Sequence, residues 1–461
     1  MYIKKHTQHL LSMVSYSHRD KDLELEVLVK NTQNNKITSD MFSNTIKRLK
    51  GTKGVNYSKE EEILDIIVND IRFSIVGKEN IVEYCETDDI KTINEKNLII
   101  MKKNSVKKTD INEYRVRFNL KRETILNKST EVSSIMKKWS SYDKIFRYKK
   151  RISFTTSDNR FQFDLTILKS SNKKTVKDEE TRLKKSDVKD YMKKYVVAPE
   201  YIAGKTAFNE WFDGLKQSDK VTMMGRKREV PMPSKSVKKS NVFNNELEYE
   251  IEIEYLGNKM KVKQSDKAVL IQMIQNLVIV LQSIQKSYYI ISEFEKNDVI
   301  GKYKGIMGDY RFSGPMNVTL EKKHVYQRKY EDYKGMVSIR KGYSVTDKAD
   351  GERNLLVVID NGNMYLINRK NDVKYLGAKC LELANSIFDT EYILKDKDHN
   401  NINLLMIFDA YFYGNEDIRK RILNRSNEEI AEGKIDKSRY EYVSDAIDII
   451  SERLIKDSNN N

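Results

Sequence analysis

The sequence has few cysteines and few prolines. It contains 2 cysteines, Cys85 and Cys380, and 4 prolines in 461 residues. Two cysteines so far apart exclude a disulfide framework and a cysteine zinc cluster, and they favour a reducing compartment. The 5 histidines are scattered without metal-site spacing. We expect no apolar run to be long enough to span a membrane, and the N-terminus lacks a signal-peptide core, so we expect no membrane partner.

Basic residues are in large excess: 84 Lys and Arg against 68 Asp and Glu, a formal net charge of +16. Such an excess favours a polyanionic partner, either nucleic acid or an anionic membrane surface. The alternative explanation is an AT-rich genome that over-uses Lys, Asn and Ile, and the few prolines and many asparagines fit it.

The first 260 residues or so contain many short segments in which apolar and polar residues alternate, as in antiparallel strands with two distinct faces. These segments are 23–30, 70–77, 97–103, 113–123, 147–156, 161–170 and 247–257. So many strands in one region predict a closed barrel or a sandwich. Helices are predicted over 39–51, 173–195 and 265–294. We expect a first domain over 1–300, a linker over 301–317, and a second domain over 318–461 that ends in a helix near 439–455.

The segment LEYEIEIEYLG, residues 247–257, has an unusual acidic face. Because successive side chains of a strand point to opposite faces, one face carries only carboxylates: Glu248, Glu250, Glu252 and Glu254. Neighbours on that face lie about 7 Å apart and repel one another. A divalent cation such as Mg²⁺ or Mn²⁺ would compensate, since both take carboxylate oxygens. The alternative is a solvated edge strand whose charges prevent aggregation.

Other predicted strands also carry charged residues on one face, either acidic or basic. Glu24 and Glu26 share a face of LELEVLV, Arg115 and Arg117 are two residues apart in EYRVRF, and a second basic group lies in RYKKRIS: Arg147, Lys149 and Arg151. If all these faces point inward, a barrel interior has an acidic metal-binding wall and a basic phosphate-binding wall. That arrangement suits hydrolysis of a phosphoanhydride.

Residues 20–260 resemble the family of tunnel-shaped, metal-dependent triphosphatases. The resemblance is greatest to the RNA 5′-triphosphatase domains of large DNA virus capping enzymes. The resemblance rests on ELEV, the basic strand and EIEIEY. It implies an α+β fold with an eight-stranded antiparallel tunnel barrel that binds Mg²⁺ or Mn²⁺. Carried over by motif, the metal site is Glu24, Glu26, Glu250, Glu252 and Glu254; the phosphate contacts are Arg115, Arg117, Lys149, Arg151 and Lys169; the supporting residues are Asp164 and Thr166. Gln162 stands where the family often has arginine, and Arg160 is a neighbouring cation that could replace it.

The stretch TDKADGERNLLVVI, residues 346–359, carries a second signal. KADGER resembles KxDGxR, the signature of nucleotidyltransferases that attach a nucleotide to lysine, such as capping guanylyltransferases and polynucleotide ligases. Desolvation or cationic neighbours can free a lysine amine to attack an α-phosphorus. The resemblance makes Lys348 the nucleophile, with Asp350 and Arg353 in the nucleotide site. The alternative for six residues alone is a surface hairpin.

Further motifs follow in the family's order. LINRK resembles a strand with Arg369 as a phosphate contact, FDTEYI has Glu391 as its functional carboxylate, and LLMIFDAYFYG has Phe408 where a residue stacks on the base, with Asp409 beside it. Two later motifs, resembling DGLIF and KWK, are absent after 419, as are the oligonucleotide-binding lobe and a cap methyltransferase. The resemblance therefore implies a partial nucleotidyltransferase domain, completed by another chain or region.

Together these features predict an mRNA capping enzyme that removes the γ-phosphate of 5′-triphosphate RNA and transfers GMP from GTP through a Lys348 adduct, the second activity being incomplete in this chain. An ATP-dependent polynucleotide ligase is the enzymatic alternative, and an RNA-binding scaffold with a decayed site is the other. We expect a cytoplasmic or virion location.

Overall fold

The structure, a computed structural model, describes residues 2–31, 36–126, 129–177, 227–260, 264–308, 319–325, 338–340, 343–346, 348–425 and 436–459. The chain forms two compact units. The first comprises Met1–Ile111 and Arg115–Ile279, and the second comprises Asn112–Tyr114 and Val280–Asn461. The division at 279/280 differs from the expected boundary at 300/301.

The first unit is a closed antiparallel barrel of eight strands, which confirms the predicted barrel. Its strands are β1 (Leu23–Val29), β2 (Val55–Val68), β3 (Ile71–Val76), β4 (Leu98–Ile111), β5 (Val116–Ile125), β6 (Ile145–Thr156), β7 (Phe161–Ser170) and β10 (Glu248–Tyr255). Around the barrel they follow the order β1-β10-β7-β6-β2-β3-β4-β5. A short pair, β8 (Lys173–Lys177) and β9 (Lys227–Pro231), forms a separate two-stranded sheet.

The alternation of the strands gives the barrel an apolar outer face and a charged inner face. Residues such as Leu64, Ile66 and Phe73 point outward into a buried cluster that includes Tyr84 and Trp139 from the surrounding helical segments. Those helices are α1 (Tyr2–Arg19), α2 (Ser39–Lys50), α3 (Lys78–Thr87), α4 (Thr130–Lys137) and α5 (Val237–Ser240). Burial of this outer face leaves the charged side chains to line the lumen.

Local capping explains where several helices begin. Thr38 accepts a hydrogen bond from the Met41 N–H before α2, and Ser129 does the same for the Val132 N–H before α4. Each cap satisfies a backbone donor that the first helical turn leaves unpaired. Helix α6 (Asp266–Gln285) follows the barrel.

Helix α6 corrects one sequence expectation and supports another. By length and composition it could cross a membrane, contrary to the expectation that no run is long enough, although 44% of its most apolar stretch is buried within the fold. Val269, Met273 and Val280 have no exposed surface. These side chains belong to the core, as the helical spacing indicated.

Three further predictions differ from the structure, and one barrel strand was not predicted. The strand that was not predicted is β2. Strand β5 starts at Val116, and not at 113, because Asn112–Tyr114 forms a 3-10 helix. The predicted helix over 173–195 starts as a strand, Lys173–Lys177, and its remainder lies outside the described residues. The predicted linker over 301–317 starts inside helix α7 (Glu293–Met307), and 309–317 are not described.

The second unit is built on a six-stranded antiparallel sheet of order β13-β12-β11-β14-β15-β16. The strands are β11 (Glu352–Val358), β12 (Asn363–Asn368), β13 (Val373–Lys379), β14 (Ser386–Lys395), β15 (Asn401–Tyr413) and β16 (Glu416–Asp417). Tyr303 and Met307 of α7 join one buried cluster with the sheet, while Val443 and Ala446 of α9 (Arg439–Asn459) join another. A short helix, α8 (Lys322–Val325), precedes the sheet.

Candidate functional site

The acidic wall of the lumen is formed where β1 pairs with β10. Glu26 lies directly opposite Glu254, and Leu28 lies opposite Glu252, so the glutamates of both strands face the same interior. On the other side of β10, Glu252 lies opposite Asp164 of β7. The two acidic faces expected from the sequence are therefore adjacent rather than exposed edges.

These carboxylates are buried close enough to perturb one another. Burial, reinforced by Glu252, raises the pKa of Glu26. Burial, reinforced by Glu24, raises the pKa of Glu254 to about 8. Both shifts mean that the lumen disfavours the charged forms in the absence of a further compensating charge.

Lysines provide part of that compensation. Lys121 pairs with Glu26, and Lys103 Nζ lies 3.1 Å from Glu24 Oε2. The Asn119 amide also donates to Glu26 Oε1 at 2.8 Å. Among the residues that the structure describes, no three His, Cys, Asp or Glu side chains are grouped to hold an ion as they stand.

The donor set nevertheless fits a divalent cation. Carboxylate oxygens are the ligands that Mg²⁺ and Mn²⁺ prefer. The raised pKa values of Glu26 and Glu254 show that a further positive charge would be stabilised between β1 and β10. Because Lys103 and Lys121 have long flexible side chains, they can withdraw from the carboxylates without movement of the strands.

The basic wall lies on β6, where Arg147, Lys149 and Arg151 share the inner face. Arg147 Nη2 donates to Glu250 Oε1 at 3.0 Å, and Arg151 Nη1 lies 3.3 Å from Asp164 Oδ2. The Asp164 carboxylate also accepts a hydrogen bond from Ser153 Oγ at 2.6 Å. Asp164 therefore orients a cation of the basic wall beside the acidic strand. Thr166, the second expected supporting residue, is buried opposite Arg151 and Glu250.

Lys149 is almost fully buried, and its Nζ lies 2.7 Å from Asp65 Oδ2 on β2. Burial, with Arg147 nearby, lowers the pKa of Lys149, while Asp65 opposes that shift. Although burial works against it, Lys149 together with Arg72 lowers the pKa of Asp65. Asp65 is thus a buried anion that holds the lysine within the wall.

Two predicted phosphate contacts lie elsewhere. Arg115 precedes β5 with a positive φ of 57°, so it does not share a face with Arg117; its Nη2 donates to the Lys30 carbonyl at 3.3 Å. Lys169 pairs with Tyr148 rather than Lys149 across β6 and β7, which puts it on the outer face. Its Nζ donates to the Phe243 carbonyl at 2.5 Å.

The remaining predicted phosphate contact and the Gln162 position are also defined. Arg117 faces the lumen, where its Nε donates to Asp110 Oδ1 at 2.6 Å. The Gln162 amide donates to Asp164 Oδ1 at 3.0 Å. Arg160 lies in the turn before β7, with Nε 3.6 Å from Asp158 Oδ2, and does not replace an arginine at position 162.

Sequence reasoning missed several charged lumen residues. Asp65 and Arg72 belong to β2 and β3, the first of which was not predicted. Asn119 and Lys121 could have been found, because they continue the face of Arg117 at spacings of two residues. Lys103 could not have been found from spacing alone, because its place in the lumen depends on the register of β4 against its neighbouring strands, which the sequence does not supply.

The motif residues of the second unit surround one ion pair. Arg353 of β11 lies opposite Glu391 of β14, and its Nε donates to Asp389 Oδ1 at 2.9 Å. The Arg353 Nη2 and the Tyr411 hydroxyl both donate to Asp389 Oδ2. Asp389 has no exposed surface, so its two hydrogen bonds with the Arg353 guanidinium hold that side chain in place. Asp389 was not among the predicted site residues.

The other predicted residues lie at or near the ends of these strands. Lys348, Asp350 and Arg369 are exposed, and Phe408 is 37% exposed. The Gly351 N–H donates to Glu391 Oε1 at 3.0 Å, which ties the KADGER turn to β14. Asp409, beside Phe408, is held by Arg439, whose Nε donates to Asp409 Oδ1 at 2.7 Å.

Among solved structures, the RNA triphosphatase domain of a trifunctional mimivirus mRNA capping enzyme aligns with a TM-score of 0.35 and 16% identity, over 60% of this chain and 96% of that domain. The S. pombe Pct1 RNA triphosphatase aligns with a TM-score of 0.29 and 11% identity, over 60% of this chain and 91% of that chain.

No protein-family model matches the chain. In sequence it is similar to a "Probable mRNA-capping enzyme" of Acanthamoeba polyphaga mimivirus, with 30% identity over 173 residues. That match covers 37% of this chain and 13% of the relative. Over that stretch the chain is homologous to a viral mRNA-capping enzyme.

Proposed function

We propose that the barrel is a metal-dependent RNA 5′-triphosphatase, which hydrolyses the γ-phosphate of 5′-triphosphate RNA. The single observation that carries the proposal is the direct opposition of Glu26 and Glu254 in a lumen whose other wall is lined by Arg147, Lys149 and Arg151. Anionic and cationic walls in one closed barrel suit a substrate that is itself a polyanion bound through a cation. The similarity to a probable capping enzyme supports RNA as the substrate class.

The basic wall would bind the phosphate oxygens. Arg147 and Arg151 present guanidinium groups whose planar forks suit phosphate oxygens. Asp164 and Ser153 hold Arg151 in place, so little rotamer freedom is lost when a phosphate binds. Lys149, buried against Asp65, adds a positioned charge at the same wall.

The acidic wall would hold Mg²⁺ or Mn²⁺ through Glu24, Glu26, Glu250, Glu252 and Glu254. A bound divalent cation would neutralise charge on the phosphoryl oxygens and lower the pKa of a bound water. Glu254 is partly protonated near neutral pH, so it would release its proton when the cation binds. Lys103 and Lys121 keep the glutamates neutralised before that exchange.

The test is phosphate release from triphosphate-ended RNA. A Glu252→Ala, Glu254→Ala double variant should lose at least about 100-fold in rate, the usual scale for removing a group that stabilises transition-state charge. The matched control is Glu60→Ala with Glu62→Ala on β2, where both glutamates face outward to Lys150 and Tyr148. Equal rates for the two double variants would reject the lumen site.

For the second unit we propose a partial guanylyltransferase in which Lys348 forms the adduct with GMP, Arg353 and Arg369 contact phosphate or ribose, Phe408 stacks on the base, and Asp350 and Glu391 complete the site. Support comes from the pairing of Arg353 with Glu391 and from the Gly351 contact that brings the KADGER turn to Glu391. A separate chain or region carrying the later motifs and a cap methyltransferase would complete the pathway.

Covalent labelling separates this proposal from the ligase alternative. We expect label from α-phosphate-labelled GTP on the wild type and none on Lys348→Ala, with Lys370→Ala as the control because Lys370 is also exposed in the same unit. Labelling by ATP and not by GTP would indicate a ligase. Labelling by neither nucleotide would not support the guanylyltransferase.

A further inference from the structure

Exposed lysines from separate segments meet at one end of the barrel, which bears on how a long substrate would approach it. Because the strands are antiparallel, the end at which β6 begins is also the end at which β7 stops and β10 begins. We call it the β6 rim. The opposite end, where β2 begins and β6 stops, is the β2 rim.

The β6 rim carries exposed lysines from three separate segments. They are Lys137 and Lys138 at the end of α4, Lys174 on β8, and Lys235, Lys238 and Lys239 in and before α5. In the described part of the chain, no carboxylate lies within ion-pair distance of Lys138, Lys238 or Lys239. No carboxylate of the described residues therefore competes with a ligand for these three ammonium groups.

Backbone contacts hold these segments together as one surface. Lys144, immediately before β6, exchanges backbone hydrogen bonds of 2.9 and 2.8 Å with Ser234. The Asn172 N–H donates to the Ser240 carbonyl at 3.0 Å, which joins the end of β7 to α5. Lys235 Nζ donates to the Ser141 carbonyl at 2.6 Å, which joins the segment before α5 to the end of the α4 region.

A buried cation stiffens the same place. Lys144 is fully buried, and its Nζ donates to the Lys235 carbonyl at 2.8 Å and the Tyr142 carbonyl at 3.2 Å while lying over the Trp139 ring. Burial lowers the pKa of Lys144. By donating to the carbonyl oxygens of Tyr142 and Lys235, Lys144 holds in place the backbone that carries the exposed Lys235.

Two acidic residues at this surface are already bound, whereas Asp70, between β2 and β3, and Glu246, just before β10, are exposed. The Asp88 carboxylate accepts from the Val237 N–H at 3.4 Å, and Asp143 lies 3.1 Å from Lys235. At the β2 rim, the turns beside the exposed Lys50, Lys53 and Lys78 carry exposed carboxylates: Asp22, Glu79 and Asp158. The β6 rim thus groups exposed lysines from three segments of the chain.

We propose that the β6 rim binds the backbone phosphates of the single-stranded RNA that follows the triphosphate end, so that the substrate enters the lumen past α5. This inference rests on the proposed triphosphatase function for its orientation, although the binding itself can be measured without catalysis. Arg147, near the start of β6, is among the lumen cations next to that rim, so phosphates would meet lysines outside and Arg147 inside. Contacts to backbone phosphates are independent of base sequence and sensitive to salt.

The test uses the full 461-residue chain and a fluorescent single-stranded RNA of about 20 nucleotides that ends in a 5′-hydroxyl, so hydrolysis plays no part. Fluorescence anisotropy gives the affinity over a range of salt concentrations. The triple variant Lys138→Ala, Lys238→Ala, Lys239→Ala should bind more weakly, and the slope of log affinity against log salt should fall by about 2, since each phosphate contact on a single strand contributes about 0.7.

The matched control removes the same charge from the β2 rim: Lys50→Ala, Lys53→Ala, Lys78→Ala. We expect that variant to keep the wild-type slope, while circular dichroism shows both variants to be folded. Equal weakening by both variants, or by neither, would overturn the proposal. Loss of binding by the β6-rim variant alone would support it even if the wild type released no phosphate from triphosphate-ended RNA, an outcome that would remove the triphosphatase function and leave the RNA surface.

Discussion

Glu254 illustrates what a single residue contributes to this lumen. Its carboxylate lies opposite Glu26 on the neighbouring strand, and burial with Glu24 nearby raises its pKa to about 8. An ordinary glutamate in an unfolded chain titrates near 4.3. Between those two pH values the folded barrel binds a proton that the unfolded chain has released, so stability without a metal ion falls as the pH rises.

The substitution Glu254→Gln should remove this dependence. In the presence of a chelator, we expect the variant to unfold at a higher urea concentration than the wild type at pH 8.5, and the difference to shrink greatly at pH 5, where the wild-type side chain is protonated in the fold. The control is Glu60→Gln on the outer face of β2. A wild type that becomes more stable between pH 5 and pH 8.5 relative to Glu254→Gln would contradict the assigned direction.

Two single residues also show the limit of period-2 reasoning. Arg115 was expected to share a face with Arg117, and Lys169 was carried over from the family motif as a phosphate contact, yet Arg115 has left-handed backbone and Lys169 is on the outer face. Alternation states which residues share a face within a strand, but not where the strand begins. Lys169 follows Thr166 by three positions, so the two could not share a face in one regular strand.

At the scale of elements, β2 shows why one barrel strand was not predicted. Three consecutive glutamates, Glu60 to Glu62, interrupt any alternation, and a register shift between Tyr57 and Lys59 changes its phase. Only the pairing with β3 and β6 shows that Asp65 faces inward while Leu64 and Ile66 face the core. The other seven barrel strands were predicted, although β4 extends to Ile111, well beyond the predicted 97–103.

The close approach of the turn before β11 to strand β14 predicts how two glycine substitutions change the free energy of unfolding. A Cβ on Gly351 would lie 2.6 Å from the Tyr392 carbonyl oxygen of β14, whereas one on Gly305 of α7 would meet nothing within 4 Å. We expect Gly351→Ala to lower the free energy of unfolding by about 1–3 kcal/mol through overpacking. Gly305→Ala should raise it by about 0.5–1 kcal/mol through helix propensity.

Urea unfolding of the two glycine variants, followed by circular dichroism, checks that prediction. Both substitutions add one methyl group to the same unit, so the sign of the change separates a close backbone approach from an ordinary glycine. A Gly351→Ala variant as stable as the wild type would show that the KADGER turn is free to move away from β14.

At the scale of the whole molecule, the division into two units predicts that a metal ion acts on one of them. With Mn²⁺ at about 100 times its dissociation constant, the barrel should gain about 2.7 kcal/mol, which corresponds to a rise of roughly 5–10 °C in its melting temperature. Calorimetry with and without Mn²⁺ measures the shift. The Glu252→Ala, Glu254→Ala variant should abolish it, and a shift that persists in that variant would place the ion elsewhere.

The sequence alone determined that this chain contains alternating strands with carboxylate and cationic faces, because side-chain alternation is a local property of an extended backbone. The resemblance of its motifs to capping enzymes was likewise readable without coordinates. Only the tertiary structure decided that β1 lies beside β10, that Asp65 holds Lys149, that Asp389 holds Arg353, and that lysines from three segments meet at one rim. Those contacts join residues far apart in the chain, and their geometry depends on strand order and register, which closure of the barrel and burial of its apolar outer face select.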